Sequence, residues 1–353
     1  MKKEELVKMF FSKGMLLSSE ALEHMQNFSD KEAQDILVKN KDIVLLKNQI
    51  IGIKRYEIVK NLTEKKIIDD MTYLNMKFEN IKNIIISKMD KKYVSIGNIT
   101  PSREDIYIIG MIKDIKEGEK TLIEIEDQTG SRMITFDEGI KADLDDVVAV
   151  QAIPSGKTTY GKKIIYPDVP LREPAKANGK ACFISDLHID EMPQSDIQRF
   201  FQWFNQQNIN YLFVAGDIMD ISEFEKHCDK LTFIIPGEHD SKDSYPQTAL
   251  KTTNDNIISL SNPSIVNING VNILLIHEFD SAMLKKRHLG DAAIENDYLL
   301  LDTVPDIVHY GHTHKPFVSN YKSITLVNSG SPLTEFRPVV IDLETREWKQ
   351  VII

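Results

Sequence analysis

Five short blocks in the second half of the chain carry residue types that hold metal ions: Asp186-Leu187-His188, Gly216-Asp217-Ile218-Met219-Asp220, Gly237-Glu238-His239-Asp240, His277-Glu278 and Gly311-His312-Thr313-His314. Carboxylates and imidazoles gathered in a concave site repel or desolvate one another unless a cation compensates them. Two divalent ions about 3.5–4 Å apart can clamp a phosphate, activate a water as nucleophile and stabilise the leaving oxygen. Mixed oxygen and imidazole donors suit Mn²⁺, Fe or Zn²⁺ better than the all-oxygen surroundings of Mg²⁺. One Asp-x-His block alone is more often an ordinary loop, and it is the succession of five that points to a site. In Asp-x-His, extended-chain alternation would point both ligands to one side. Gly216, Gly237 and Gly311 let the backbone turn sharply and leave room for a metal or phosphate.

The blocks need elements to position them, and the flanking sequence supplies short apolar strands. Ala181-Cys182-Phe183-Ile184, Tyr211-Leu212-Phe213-Val214-Ala215, Leu231 to Ile235 and Ile273 to Ile276 precede the first four blocks, with a helix expected around Asp196 to Asn205. Strands alternating with helices predict an α/β layered domain, whose ligands gather at the carboxyl ends of the strands. Its span is residues 173–353. Upstream, Pro167, Pro170 and Pro174 mark a connector. Before it, residues 91–172 alternate at strand period, as in Ile106-Tyr107-Ile108-Ile109 and Leu122-Ile123-Glu124-Ile125, with turns at Glu117-Gly118-Glu119 and Asp127-Gln128-Thr129-Gly130. Five short strands over that length fit an OB-type β-barrel, and the pattern alone leaves other small β-barrels or sandwiches open. Residues 1–90 read as a helical region: Leu16, Leu17, Ala21, Leu22 and Met25 follow Gly14 at helical spacing, Ser29 and Glu32 form a capping box, and Lys65 to Met89 is a charged run with periodic Ile, Met and Leu.

Composition agrees with a multi-domain α+β protein holding a cation site. A 42% hydrophobic fraction over 353 residues excludes wholesale disorder. Net charge is −10, and all the excess lies in residues 173–353, which hold 15 Lys+Arg against 25 Asp+Glu and eight of the nine histidines. Two cysteines, Cys182 and Cys228, are too few for a disulfide framework. No run approaches the ~18 apolar residues a membrane helix needs, and the charged start Met1-Lys2-Lys3-Glu4-Glu5 lacks the apolar core of a signal peptide. A cytoplasmic protein with no membrane partner is the expectation.

The blocks resemble the calcineurin-like metallophosphoesterase superfamily, whose pattern is D-x-H, G-D-x-x-D, G-N-H-D, H and G-H-x-H. That resemblance implies a four-layer α/β/β/α sandwich and two divalent ions, Mn²⁺ foremost with Zn²⁺ or Fe as alternatives. It puts Asp186, His188 and His314 on one ion, Glu238, His277 and His312 on the other, Asp217 between them, and His239 as the catalytic group beside the leaving oxygen. Glu238 departs from the family's Asn, adding a negative charge beside the phosphate, and Glu278 stands where many relatives have Gly.

Helical region, barrel and phosphoesterase domain in this order resemble the small-subunit family of archaeal family-D DNA polymerases. The likeness also runs through Ile109-Gly110-Met111-Ile112, Ile125-Glu126-Asp127-Gln128-Thr129-Gly130, Leu284 to Leu289, Val304 to His309 and Val327-Asn328-Ser329-Gly330, and faintly through Gly14 to Ser18. It implies a 3′→5′ proofreading exonuclease working with a large polymerising subunit on primer–template DNA, with the sliding clamp reached through the holoenzyme. Two rivals remain: a weakly active or inactive scaffold subunit, and a free-standing metallophosphodiesterase with no use for a barrel. Tyr107, Phe136, Arg132 and Lys120 are the barrel's sparse equipment for single-stranded DNA, which favours protein docking. Among other residues, His309 reads as buried support, His288 as packed or phosphate-facing, His227 and His24 as surface, Cys182 and Trp203 as core, and Trp348 as packing the last strand.

Overall fold

The computed structural model describes residues 2–12, 16–17, 19–26, 28–39, 44–45, 56–156 and 158–352. The chain opens with α1 (Lys3–Phe11), β1 (Leu16–Leu17), α2 (Ser19–Met25), α3 (Asp30–Lys39) and β2 (Val44–Leu45). The Ser29–Glu32 capping box forms, with Ser29 N donating to Glu32 Oε2 at 2.7 Å and Glu32 N to Ser29 Oγ at 3.2 Å. Leu16 and Leu17, expected on a helix, instead pair in parallel with Val44 and Leu45. Gly14, Met15 and Ser18, and the His24 side chain, lie outside the described residues.

The expectation of helices throughout 1–90 needs a second correction. Glu57–Lys60 is a strand, β3, which pairs antiparallel at the edge of a sheet in the C-terminal half. One apolar pair, Ile58-Val59, carries too little periodicity to separate strand from helix, so the free sheet edge decides. The helix foreseen from Lys65 starts later, as α4 (Asp70–Lys88), because Asp69 accepts a capping bond from Thr72 N at 2.9 Å. Just upstream, Ile67 bridges to Ile294.

Strands β4 (Ile106–Lys116), β5 (Thr121–Asp127), β6 (Gly130–Phe136), β7 (Val147–Ser155) and β8 (Thr158–Ile165) close into a barrel of order β4-β5-β6-β8-β7, with β6 and β8 parallel. Ile108, Ile112, Ile123, Ile125, Ile134 and Phe136 fill the interior. The opposite face of β4 and β7, carrying Ile109, Met111, Val147 and Ala149, is also apolar, and α4 covers it with Phe78, Ile81 and Ile85. Burial on both faces is why those strands read as continuous apolar runs. The foreseen DNA equipment is largely committed. Phe136 is inside the barrel, Lys120 pairs with Asp137 at 2.7 Å, and Arg132 donates to Thr159 Oγ1 at 2.7 Å.

The C-terminal part stacks two six-stranded sheets. Its elements are β9 (Lys180–Ile184), α5 (Gln194–Gln206), β10 (Tyr211–Ala215), α6 (Ile221–Glu225), β11 (Thr232–Ile235), β12 (Ile257–Ser259), β13 (Ser264–Ile268), β14 (Val271–Leu275), α7 (Ala282–Lys286), β15 (Ile307–Tyr310), β16 (Phe317–Tyr321), β17 (Ile324–Asn328), β18 (Val339–Asp342) and β19 (Trp348–Gln350). The sheets run β12-β11-β10-β9-β18-β19 and β16-β17-β15-β14-β13-β3. Phe183, Phe213, Phe233, Val266, Ile273 and Ile307 pack between them. Outside the first sheet, α5 and α6 bury Phe200, Phe201, Phe204 and Phe224. Outside the second, α7 and the segments around Leu289, Leu299 and Leu301 supply the covering layer. His227 is part-buried, stacking on Phe201 with ring centroids 5.5 Å apart. Trp348 stays 47% exposed on the edge strand β19 rather than packing it. No helix of the described residues is long and apolar enough to cross a membrane.

Candidate metal centre

Strands β9, β10 and β11 are mutually parallel, and so are β14, β15 and β17, so five carboxyl-terminal loops converge at one edge of the sandwich. The loop after β9 carries Asp186 and His188, that after β10 carries Asp217, and that after β11 carries Glu238 and His239. His277 follows β14, and His312 and His314 follow β15. All eight foreseen residues come together there.

The loops do so by a route that the extended-chain expectation misses. Asp186 (φ 52°), His188 (φ 45°), Asp217 (φ 52°), His312 (φ 66°) and His314 (φ 56°) all lie in the left-handed region, as does Met219 (φ 71°). For non-glycine residues this is strain of order 1–3 kcal/mol each, held in place by surrounding structure. Here the surroundings are specific. His188 N donates to Asp217 O at 2.9 Å, His312 N to Asp186 Oδ1 at 2.8 Å, His239 N to Asp217 Oδ1 at 3.0 Å, and Gly311 N to His277 O at 2.9 Å. The glycines make room for ligand side chains: a Cβ on Gly237 would stand 2.1 Å from Asp217 Oδ1, and one on Gly311 2.6 Å from Asp186 Oδ2.

Asp186, His188, Asp217 and His314 offer donor atoms within 4.8 Å of one another, as do Asp217, Glu238 and His239. His188 Nε2 and His314 Nε2 are 3.2 Å apart. His277 Nε2 is 3.3 Å from Asp217 Oδ2, and His312 Nδ1 is 3.4 Å from Glu238 Oε1. Asp186, Asp217 and His277 are buried, whereas Glu238 and His239 are each about half exposed, their side chains at 54%. Within this cluster two buried polar atoms, Asp186 Oδ2 and His277 Nε2, lack a hydrogen-bond partner. The Nδ1–H of His277 donates to Ala215 O at 2.7 Å, which fixes the ring with Nε2 facing Asp217 as the atom that a cation would take in place of a proton. Burial lifts the Asp186 carboxyl above the usual range. Burial would also lift Asp217, but the His277 imidazole and the His239 N–H outweigh it and hold Asp217 low. Burial opposes charge on His277, yet Asp217 prevails and pushes its pKa up to about 9. Carboxylates and imidazoles so arranged, with orphaned buried donors, fit divalent cations.

Two residues that hold the site carried no assigned role in the sequence. Asp240 takes Ile218 N, Met219 N and Gly237 N on its two carboxylate oxygens at 2.9, 2.7 and 2.9 Å, tying the loops after β10 and β11 together. Its place as the last residue of the Gly237–Asp240 block was the available signal. Asn262 Oδ1 accepts from His277 N at 3.1 Å, and no motif marks it. His309 is fully buried on β15, with Nε2 2.8 Å from Ile184 O, and is not part of the cluster. His288 bonds Asp297 at 2.9 Å instead of facing the site. A cleft of about 940 Å³ leads away from Glu238, His239 and His277.

Residues 180–344, which hold the loop cluster and most of the double sheet, match the calcineurin-like phosphoesterase superfamily domain. Over about four fifths of its length the chain is similar to DNA polymerase II small subunits of archaea. It is 27% identical to that of Methanothermobacter thermautotrophicus over 79% of this chain and 76% of the relative. With that of Thermoplasma acidophilum it shares 22% over 92% of this chain and 85% of the relative. Among solved structures, an archaeal phosphodiesterase is similar at 19% identity, with a TM-score of 0.37, over 49% of this chain and 99% of that chain.

Proposed function

We propose that the chain is the small, proofreading subunit of an archaeal family-D DNA polymerase, a two-metal 3′→5′ exonuclease that hydrolyses DNA phosphodiester bonds in complex with a large polymerising subunit. The observation that carries the reading is the pair of orphaned buried donors, Asp186 Oδ2 and His277 Nε2, within a cluster of carboxylates and imidazoles. The relatives' shared description as polymerase small subunits supplies the substrate. Asp186, His188 and His314 would hold one divalent ion and Glu238, His277 and His312 the other, with Asp217 between them. When bound, such a pair neutralises the phosphate and activates water; Mn²⁺ is foremost, with Zn²⁺ and Fe as alternatives.

The chain's own residues do the rest. The Ala215 carbonyl fixes the His277 ring, and Asp240 sets the Asp217 loop against the Glu238 loop. His239, half exposed with Nε2 3.9 Å from Asp217 Oδ2 and 3.4 Å from Glu238 Oε1, passes a proton to the leaving 3′-oxygen. A chain of net charge −10 holds free DNA poorly, because phosphate contacts draw on cations. Primer–template DNA therefore arrives with the large subunit, which docks on the barrel, and the sliding clamp is reached through that holoenzyme. A second reading, a subunit with little nuclease activity, is favoured by Glu238, whose carboxylate opposes the phosphate. Expressing the chain with its copurifying partner and assaying a 3′-mismatched primer in Mn²⁺ separates them. Faster loss of mismatched than matched termini is expected, and absence of Mn²⁺-dependent cleavage leaves the scaffold reading.

A further inference from the structure

Two buried amide side chains link the loops that carry Glu238 and His277. Gln247 and Asn262 are 4% and 3% exposed, and their backbones bond reciprocally, Gln247 N to Asn262 O at 2.9 Å and Asn262 N to Gln247 O at 3.0 Å. The side chains then run in series. Gln247 Nε2 donates to Gly237 O at 2.9 Å, Gln247 Oε1 accepts from Asn262 Nδ2 at 2.9 Å, and Asn262 Oδ1 accepts from His277 N at 3.1 Å. One orientation of the two amides satisfies this series. Reversing Asn262 would set its NH2 against the His277 N–H, and reversing Gln247 would set its oxygen against the Gly237 carbonyl. The series therefore has a fixed length and ends on two backbone groups, one immediately before Glu238 and one in His277 itself. The loops of Asp186, His188 and His314 are tied by different bonds. Ser331 Oγ donates to Asp186 O at 2.7 Å, His188 N to Asp217 O at 2.9 Å, and Thr334 Oγ1 to His314 O at 2.9 Å.

We propose that Gln247, acting through Asn262 and Gly237, is a positioning residue that sets the spacing of Glu238 and His277 and thereby the affinity of the ion those two would share, without affecting the ion of Asp186, His188 and His314. The proposal rests on the two-ion reading above. Both amides act at one remove from the ion, through the backbone of its ligands.

Calorimetric titration of the metal-free full chain with Mn²⁺ tests this without any turnover. The unsubstituted chain is expected to bind two ions. Gln247→Met keeps the length of the side chain but offers Gly237 O and Asn262 Nδ2 no partner. It should weaken one ion by about 10–100-fold, the scale for groups that orient metal ligands from outside. The other ion should stay within about twofold, as expected of independent sites. In a Glu238→Ala background, which lacks a ligand of the affected ion, adding Gln247→Met should leave the remaining ion within the same limit. Asn262→Leu breaks the series at its middle and should weaken the same ion, so either variant alone carries the test if the other does not fold. Gly161→Ala, which crowds Phe136 in the barrel instead, should leave both ions unchanged. Equal weakening of both ions by Gln247→Met, weakening of neither, or an equal effect of Gly161→Ala overturns the positioning role. Failure of the unsubstituted chain to bind two ions overturns the two-ion reading itself.

Discussion

His309 sits on β15 three residues before His312, with its side chain fully buried and its ring edge-on to Phe183 at 5.2 Å. Its Nε2–H donates to Ile184 O at 2.8 Å, and Nδ1 is 3.3 Å from Val327 O. Burial opposes the charged form more strongly than these carbonyls favour it, and the pKa falls from 6.5 to about 4. A base whose folded pKa is depressed binds its proton preferentially in the unfolded chain. Its contribution to stability is therefore fully present above pH ~6.5 and is lost as the pH falls toward ~4. At ~1.4 kcal/mol per unit, the full loss is roughly 3 kcal/mol, of which about 2 kcal/mol falls between pH ~7 and ~5. Many carboxylates titrate in the same window, so the test is a difference: urea unfolding of the unsubstituted chain and of His309→Gln, followed by circular dichroism at both pH values. The Gln variant keeps an N–H for Ile184 but cannot titrate. It is expected to be less pH-sensitive by about 2 kcal/mol. Parallel stability profiles for the two proteins would refute the argument that burial holds His309 neutral.

Asp217→Ala should abolish Mn²⁺-dependent cleavage while leaving the far-ultraviolet spectrum intact, since it removes the carboxylate shared by both halves of the cluster; retained activity would sink that assignment. His239→Ala should keep two bound metals by elemental analysis and lower turnover by ~10²–10⁴-fold, the range for a positioned acid–base group; loss of one metal would make His239 a ligand, a role its grouping with Asp217 and Glu238 allows. Glu238→Asn should raise turnover and weaken binding of one metal, because a carboxylate near the phosphate opposes its approach while strengthening cation binding. No change in either quantity would exclude Glu238 from metal contact. In the barrel, a Cβ on Gly161 would lie 2.3 Å from the Phe136 ring, so Gly161→Ala should destabilise the fold by ~1–3 kcal/mol and Phe136→Leu should restore part of the loss. Additive effects in the double variant, read by thermal unfolding, would contradict that contact.

The candidate metal cluster was legible in the sequence because the identity of each side chain that could hold a cation is local. Each block needs its own Asp, His or Gly, and parallel strands bring their carboxyl ends to one edge whatever lies between them. The barrel was legible for a related reason: turn residues at Glu117-Gly118 and Thr129-Gly130 separate alternating runs, and alternation is a property of each strand alone. Three features were decided only by tertiary structure. The left-handed backbone at Asp186, His188, Asp217, His312 and His314 is unfavourable locally and persists because hydrogen bonds from other loops hold it, so the extended geometry expected from the chain alone was wrong. Asn262 positions His277 across a distance in sequence that no motif spans. Strand β3 and helix α4 take their places from surfaces elsewhere. Ile58 and Val59 gain a conformation from the open edge of β13, and Phe78, Ile81 and Ile85 find the apolar outer face of β4 and β7. Sequence settles which chemistry a residue can perform, whereas the partner surface, contributed by residues far along the chain, settles where an ambiguous segment lies and how a strained ligand loop is held.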